Sequence, residues 1–276
     1  MTITAEPDRL PDLSSDHRLG EEDIAAFRRD GHVRVRGLAS REEVEAYRPA
    51  IRGVLDAVAA RHDRQGRIDD YDGLFTQVTN VWRLDESVRR YVFARRFAQV
   101  AARLMGVRAV RLYHDQALFK EPGGQPTPWH LDQYYWPLDT GDTVTMWMAL
   151  VDVPPERGPM IFATGSHRAN DVPRLPIGAA SEAALANYVA TRGFALASTA
   201  LAAGDATFHS GRTLHSARPN LSATRREVMT VIYFADGARL RAPENPFQEA
   251  DAKVFVPGVQ PGELAASELN PLLWRE

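Results

Sequence analysis

The feature that most constrains the fold of this 276-residue chain is a change of hydrophobic pattern at Gly106. Before it, apolar residues recur at helical spacing, whereas after it short runs of β-branched and aromatic residues are separated by Gly and Pro. The first part predicts helices over 21–29, from residue 40 onwards and over 87–105. The second part predicts strands over 107–119, 127–135, 143–153, 160–163, 205–209 and 227–234, with an inserted helix over 181–190.

Helices first and many short strands later fit one β-sandwich or jelly roll with helices packed on its outside. Residues 1–18 are polar and contain two prolines, so we predict a mobile N-terminal tail there. The remaining residues, 19–276, show neither an internal repeat nor a low-complexity linker, and we expect them to form a single domain.

Composition excludes several functional classes. The net charge of −3 and the scattered basic residues give no reason to expect nucleic acid or a membrane as a partner. The chain has no cysteine, which excludes disulfides, iron–sulfur clusters and thiolate zinc sites and leaves His, Asp and Glu as metal ligands. The N-terminus has no basic start followed by an apolar stretch, so we expect a cytoplasmic protein.

The strongest candidate for a site is the segment Trp129-His130-Leu131-Asp132. On an extended strand, side chains two positions apart point to the same face, so His130 and Asp132 can converge on one point. With a third ligand from a distant strand they would form a two-histidine, one-carboxylate face. Such a face suits Fe(II) and leaves coordination positions open for substrate chemistry.

Five histidines compete for the third ligand position. His215 is favoured because an arginine follows it at a suitable spacing, and His209, six residues earlier on the same segment, is the serious rival. The weaker candidates are His114, His167 and His32.

Arg225 and Arg226 are neighbours, so on a strand they point to opposite faces, and one of them should enter the interior. A guanidinium binds a carboxylate through two parallel hydrogen bonds, which a lysine cannot copy. Iron contributes +2, Asp132 −1 and 2-oxoglutarate −2, so one arginine brings the sum of charges to zero. The pattern therefore favours an iron- and 2-oxoglutarate-dependent oxygenase.

With these residues assembled, the chain resembles the phytanoyl-CoA dioxygenase family of Fe(II)/2-oxoglutarate-dependent oxygenases. In that family the arginine lies eleven positions after the distal histidine, which Arg226 satisfies and Arg225 does not. The motifs that carry the resemblance are Phe27-Arg28-Arg29-Asp30-Gly31-His32-Val33, Leu118-Phe119-Lys120, the His130 segment, Thr143-Val144-Thr145-Met146-Trp147, Gly158-Pro159-Met160, Gly165-Ser166-His167, Gly204-Asp205, His209, His215, Asn220 and Arg226.

The resemblance implies a double-stranded β-helix that binds Fe(II) through His130, Asp132 and His215. It also implies 2-oxoglutarate as co-substrate, held by Arg226, and O2 as oxidant. Further contacts to 2-oxoglutarate are implied for Trp147, Gln116 and Thr127. Relatives that chlorinate lack the carboxylate ligand, so the intact Asp132 disfavours halogenation.

The substrate is expected to be a small, partly apolar molecule, since Trp129, Tyr134, Tyr135 and Trp136 flank the ligand segment. The arginine-rich, bacterial-type composition favours a tailoring step on a polyketide or another secondary metabolite, by hydroxylation, epimerisation or cyclisation. Segments 68–79 and 171–199 are expected to shape access for the substrate. The alternatives are a cupin-like metalloenzyme that does not use 2-oxoglutarate and a non-catalytic metal-binding jelly roll. The sequence does not indicate an oligomeric state.

Overall fold

A computed structural model of the protein describes residues 10–63 and 74–276. Its helices are α1 (Glu21–Asp30), α2 (Arg41–Asp63), α3 (Glu86–Val92), α4 (Arg95–Met105), α5 (Ala179–Arg192) and α6 (Pro246–Phe255). Its strands are β1 (His32–Val35), β2 (Phe75–Thr79), β3 (Ala109–Lys120), β4 (Thr127–His130), β5 (Thr143–Ala149), β6 (Met160–Ala163), β7 (Leu196–Ala197), β8 (Ala206–Ser210), β9 (His215–Ala217), β10 (Arg226–Ala235) and β11 (Leu272–Arg275).

The described strands form two antiparallel sheets. The larger sheet has the order β1-β8-β5-β10-β3-β11, with β2 also paired to β3, and the smaller sheet has the order β4-β9-β6-β7. Long buried strands such as β5 and β10 form the centre of the larger sheet. The smaller sheet contains β4, the strand that ends at His130. Two antiparallel sheets with helices outside confirm the predicted mainly β jelly roll.

The N-terminal helices pack on the outside of the larger sheet, where their apolar residues join the main hydrophobic core. A capping box starts the second helix, where Ser40 and Glu43 exchange side-chain-to-backbone hydrogen bonds. The predicted helix over 87–105 is instead two helices, α3 and α4, separated at Phe93 and Ala94. Among the helices of the described ranges, none has the length and apolar character needed to cross a membrane.

The segment that precedes α1 differs from the prediction of a mobile tail. Leu10 and Leu13 are buried in the main hydrophobic core, and the Tyr47 hydroxyl donates to the Pro11 carbonyl oxygen. Arg96 donates its backbone N–H to the carbonyl oxygen of Leu13. These contacts hold residues 10–18 against α2 and α4, whereas residues 1–9 lie outside the described part of the chain.

Two further differences from the sequence prediction affect the site. The strand predicted over 127–135 ends at His130, because Asp132 begins a 3-10 turn that runs to Tyr134. The C-terminal region, where periodicity is weak, forms α6 and β11. Side chains of α6 line the cavity described below, so this second difference affects the candidate site.

A buried carboxyl group on β3 makes the stability of the fold depend on pH. Asp115 is fully buried, Oδ1 accepts a hydrogen bond from the Val81 N–H, and Oδ2 has no partner within the described ranges. Burial raises the pKa of Asp115 from 3.8 to about 7. The group therefore stabilises the fold fully below pH 3.8, and this contribution is lost as the pH rises through 7.

Asp115→Asn removes this titration, so the variant should lack the loss of stability that the wild type shows between pH 5 and pH 8, on the order of 3 kcal/mol. Urea unfolding at pH 5 and pH 8 measures the difference, and the exposed Asp142→Asn is the matched control. An identical loss of stability with pH in the wild type and Asp115→Asn would contradict this account of Asp115.

Candidate active site

A cavity of about 370 Å³ lies inside the jelly roll, and the alternation of strand residues defines its walls. On β3 the residues that line it are two positions apart: His114, Gln116, Leu118 and Lys120. β10 pairs with β3 and contributes Arg226 opposite Lys120. Side chains of alternate residues point to one face of a strand, so β3 presents a continuous row of side chains to the cavity.

Two histidines meet in the cavity because β4 and β9 are neighbouring antiparallel strands. His130 and His215 are directly opposite each other in the register, although 85 residues separate them in the chain. Their ring centroids are 4.1 Å apart. Strand pairing therefore accounts for the meeting of these two residues.

The backbone after His130 directs a carboxylate to the same point. Leu131 is extended (φ −121°, ψ 127°), and Asp132 starts the 3-10 turn. Asp132 Oδ1 is 3.7 Å from His130 Nε2 and 3.6 Å from His215 Nε2. The candidate ligand atoms of these three residues all lie within 4.8 Å of one another, so the group could hold a metal ion.

The hydrogen bonds of the two histidines leave Nε2 available as a metal ligand. Nδ1 of His130 donates to the Pro128 carbonyl oxygen at 2.7 Å, and Nδ1 of His215 donates to the Thr213 carbonyl oxygen at 2.9 Å. Burial lowers the pKa of both histidines to about 4, so both rings are neutral at physiological pH. Neutral imidazoles with Nε2 free are the form that binds a metal.

Asp132 is oriented so that only one of its oxygens is free. Oδ2 accepts hydrogen bonds from Thr145 Oγ1 at 2.8 Å and from His209 Nε2 at 3.1 Å. Burial opposes ionisation, but His215 and the hydrogen bond from His209 outweigh it and hold the pKa of Asp132 below its usual value. An ionised carboxylate with one engaged oxygen presents Oδ1 as a single ligand atom.

The rival histidines have other positions. His209 contacts the carboxylate of Asp132 and is not part of the three-residue group. His114 lines the cavity and stacks on Phe255 at 4.0 Å. His32 contacts Thr164, and His167 donates to the Arg28 carbonyl oxygen, both away from the lining of the cavity.

Arg226 enters the cavity with an unpaired charge. Its side chain is fully buried, and its guanidinium carbon lies 5.3 Å from the centroid of Trp147. In the described part of the chain its hydrogen bond is to the Gly158 carbonyl oxygen, at 2.6 Å, and Nε has no partner. Burial lowers the pKa of Arg226 to about 9, so the group remains charged at neutral pH. A buried cation without a counter-ion marks a place for an anion.

A glycine makes this position of Arg226 possible. Gly158 has φ +79°, and a Cβ atom there would lie 2.6 Å from the Arg218 carbonyl oxygen. Only glycine fits this close approach without strain, and its carbonyl oxygen is the one that accepts from Arg226. Arg225, by contrast, points to the other side and forms ion pairs with acidic residues, as expected from the alternation.

Sequence reasoning missed a second cation in the cavity. Lys120 is fully buried opposite Arg226, and its Nζ donates to Thr127 Oγ1 at 3.3 Å and to the Arg218 carbonyl oxygen at 3.2 Å. Burial and the charge of Arg226 lower the pKa of Lys120 to about 7. The chain has only two lysines, and a lysine on the inner face of a β-strand was the available signal.

The remaining predicted residues divide between the cavity and the core. Trp147, Gln116 and Thr127 all line the cavity, as do Tyr135 and Trp136. Trp129 packs instead in a separate hydrophobic cluster with residues of α5, and Tyr134 contacts Tyr135 and Phe247. From the segments expected to shape access, the cavity receives Phe75, Gln77, Thr79 and Ile177, while 68–73 lie outside the described residues.

Together, the jelly roll, the His-Asp-His group and the buried arginine define a non-haem Fe(II)- and 2-oxoglutarate-dependent dioxygenase. The family model for phytanoyl-CoA dioxygenase (PhyH) matches residues 27–228, and the chain belongs to this family. The resemblance noted in the sequence, and the cofactors it implied, are thereby confirmed.

Individual relatives of the chain are also described as enzymes that use alpha-ketoglutarate. A probable alpha-ketoglutarate-dependent hypophosphite dioxygenase of Stutzerimonas stutzeri is 25% identical over 221 residues, which cover 75% of this chain and 76% of the relative. The non-heme alpha ketoglutarate dependent carbocyclase SnoK from nogalamycin biosynthesis has a TM-score of 0.76 and 28% identity, covering 95% of this chain and 98% of SnoK. The epimerase SnoN, in complex with Fe3+, alpha ketoglutarate and nogalamycin RO, has a TM-score of 0.73 and 28% identity, covering 92% and 98%.

Proposed function

We propose that this dioxygenase oxidises a C–H bond of a small, partly apolar secondary metabolite, such as a polyketide, by hydroxylation, epimerisation or cyclisation. The observation that carries the proposal is one cavity that contains both a metal-binding group and two buried cations, neither of which is paired with a carboxylate of residues 10–63 or 74–276. Family membership favours this function over a cupin-like enzyme without 2-oxoglutarate and over a non-catalytic metal-binding protein.

We assign the metal ligands to His130, Asp132 and His215. Two neutral imidazoles and one carboxylate are the donor set that suits Fe(II), and no thiolate is present to favour zinc. Bound Fe(II) would supply the oxidising chemistry, coupling the decarboxylation of 2-oxoglutarate by O2, with release of succinate and CO2, to oxidation of the substrate. The chain's own residues hold the ligands in register and exclude competing reagents.

The cations of the cavity fit 2-oxoglutarate. Arg226 offers a guanidinium for a terminal carboxylate, and Lys120, opposite it in the β3–β10 pair, offers a second charge. The ring of Trp147 packs against the guanidinium of Arg226, and Gln116 and Thr127 line the same cavity. We propose these three residues as further contacts to 2-oxoglutarate.

The substrate assignment is supported by the lining of the cavity and by the relatives. Aromatic side chains of Tyr135, Trp136 and Phe255 favour a molecule with apolar rings. SnoK is a carbocyclase and SnoN an epimerase, and SnoN was solved with nogalamycin RO. The hypophosphite dioxygenase is a contrasting relative, whose named substrate is a small anion.

The proposal is tested by adding 2-oxoglutarate to the Fe(II) protein without oxygen and recording the visible absorption band that the mixture gains. Oxygen is then admitted with candidate polyketides or with hypophosphite, and succinate and the substrate mass are measured. Gain of one oxygen atom indicates hydroxylation, loss of two hydrogen atoms indicates cyclisation, and an unchanged mass with altered stereochemistry indicates epimerisation. Absence of the band in protein shown to hold iron would refute the use of 2-oxoglutarate.

Removing the hydrogen bond from His209 to Asp132 should weaken metal binding without abolishing it. Residues that orient a ligand typically affect metal affinity by roughly 10–100-fold. We expect an Fe(II) affinity loss in this range for His209→Ala and a similar one for Thr145→Val, measured by anaerobic metal titration. Complete loss of iron in His209→Ala would indicate that His209, and not His215, is the third ligand.

Lys120→Met should raise the Kd for 2-oxoglutarate roughly tenfold or more, the effect expected from losing a hydrogen bond to a charged group. Because the pKa of Lys120 is about 7 before the co-substrate binds, wild-type affinity should fall as the pH rises above 7. Lys120→Met should lack this fall, and anaerobic titrations at pH 6.5 and 8.5 compare them. The exposed Lys253→Met is the control, and equal pH dependence in both proteins would exclude the contact.

A further inference from the structure

One face of α6 contributes to the cavity a set of side chains that the metal and the co-substrate do not use. Phe247, Asp251 and Phe255 are spaced four residues apart, which places them on one side of a helix, and all three line the cavity. An acidic side chain therefore lies between two aromatic rings. This arrangement can bind a ring that carries a polar group.

The helix is held in place at both ends by buried amides. Gln248 donates through Nε2 to the Tyr134 carbonyl oxygen at 3.0 Å, which joins α6 to the turn that begins at Asp132. Asn270 is fully buried and donates to the Phe255 carbonyl oxygen at 3.0 Å. Because α6 is held at both ends, its side chains have little conformational freedom, which a recognition site requires.

The carboxyl group of Asp251 has an unused acceptor. Oδ2 accepts from the Tyr113 hydroxyl at 3.0 Å, and in the described ranges Oδ1 has no hydrogen bond. Burial is the main cause that raises the pKa of Asp251 to about 7, and the charge of Asp132 adds to it. Asp251 lines the cavity, so its free acceptor can take a hydrogen bond from a donor on a bound molecule.

Asp251 lies at the opposite end of the cavity from the cations. Its partner Tyr113 adjoins His114, and His114 stacks on Phe255. His114 and Lys120 are six residues apart on β3, which is about 20 Å along an extended strand. This separation leaves Asp251 to a molecule other than the one held by Lys120 and Arg226.

Asp251 is nevertheless close to the metal-binding group. Asp132 is hydrogen-bonded to Thr145, and Thr145 is paired with Ile232, which in turn is opposite His114. Thr145, which orients Asp132, is therefore level with His114, while Trp147, two positions further along β5, packs against Arg226. A molecule held at Asp251 would have its neighbouring C–H bonds beside the metal ligands.

We infer that α6 is the substrate-recognition element, and that Asp251 binds a hydrogen-bond donor, a hydroxyl or a protonated amine, on a substrate whose apolar ring lies between Phe247 and Phe255. The inference rests on the proposed function and names the class of substrate that this site accepts. A carboxylate in the same place would be repelled by the ionised form of Asp251. A purely apolar ring would leave Asp251 Oδ1 unpaired.

The test uses four compounds with one naphthalene ring and different substituents: 2-naphthylmethylamine, 2-naphthylmethanol, 2-methylnaphthalene and 2-naphthoate. Each is titrated calorimetrically, without oxygen, into protein loaded with Fe(II) and 2-oxoglutarate. We expect the amine and the alcohol to bind at least tenfold more tightly than the methyl compound and the carboxylate. The amine reports on charge, whereas the alcohol reports on hydrogen bonding alone.

Two variants of Asp251 and one control separate recognition from general damage. Asp251→Asn keeps an acceptor for Tyr113 and should lower the affinity for the amine at least tenfold, with a smaller change for the alcohol. Asp251→Leu should remove the preference for the alcohol over the methyl compound. Glu249→Gln, which removes a charge from the exposed side of α6, should leave all four affinities unchanged.

The outcomes distinguish this inference from the proposed function. If wild-type protein binds 2-oxoglutarate but ranks the four compounds equally, or if Asp251→Asn keeps the wild-type order, the role of Asp251 is overturned and the oxygenase function stands. If the iron-loaded protein fails to bind 2-oxoglutarate at all, the proposed function itself fails.

Discussion

His215→Ala is expected to abolish turnover and to remove most of the bound iron. The variant loses one of the three side chains whose ligand atoms lie within 4.8 Å of one another. Its Fe(II) affinity should fall by more than the roughly 10–100-fold loss typical of a residue that only orients a ligand. Anaerobic metal titration followed by an assay for succinate measures both effects.

The control for this prediction is the neighbouring histidine. His209 lies on β8 and contacts the same carboxylate, with its ring centroid 4.3 Å from that of His215. A comparison of His215→Ala with His209→Ala therefore separates ligation from orientation at nearly the same place. Equal iron affinities in the two variants would contradict the assignment of His215 as the ligand.

Arg226→Ala is expected to raise the Kd for 2-oxoglutarate by roughly a hundredfold or more, the cost typical of removing one partner from a buried charge pair. The guanidinium is fully buried, its Nε has no partner among the described residues, and we propose the carboxylate of the co-substrate as its counter-ion. Titration of the absorption band without oxygen measures the Kd directly. Iron binding should be retained, because Arg226 is not part of the His-Asp-His group.

Arg225→Ala is the matched control for Arg226→Ala. Arg225 is adjacent in sequence but pairs with Asp56, Glu121 and Glu227 instead of facing the cavity. Its removal should leave the affinity for 2-oxoglutarate within about twofold of the wild type, since Arg225 does not line the cavity. A large loss in Arg225→Ala, or none in Arg226→Ala, would reverse the assignment.

The sequence predicted those parts of the site that local spacing determines. Alternation along a strand separated Arg226 from Arg225, and the short step from His130 to Asp132 predicted that these two side chains converge. The reason for convergence was partly wrong, because Asp132 begins a 3-10 turn instead of continuing the strand. The assignment of His130, Asp132 and His215 as ligands stays a prediction until metal binding is measured.

Features that depend on pairing between distant strands could not be predicted from the spacing of residues in the sequence. Lys120 becomes a candidate ligand for the co-substrate only when β3 and β10 place it opposite Arg226. The role of His209 likewise depends on the position of Asp132 in space. Lys120 and Arg226 are 106 positions apart in the chain, and Asp132 and His209 are 77 positions apart. No local pattern in the sequence indicates such distant partners.

The C-terminal helix was missed although it had a local signal. Asn245 accepts hydrogen bonds from the first turn of α6, and Pro246 occupies its first position, which is a common way for a helix to start. The break between α3 and α4 at Phe93 and Ala94 had no such signal, because neither glycine nor proline is present there. Helical spacing alone could not reveal that interruption.

The position of His130 has a consequence for how the protein keeps its iron. β4 is an edge strand of the smaller sheet, and its pairing with β9 is irregular between Thr127 and His130. A metal held by both strands would act as a cross-link where this strand pair is irregular, so iron loss and separation of β4 from β9 would be coupled equilibria. Iron binding would then stabilise the pairing of β4 with β9 in addition to supporting catalysis.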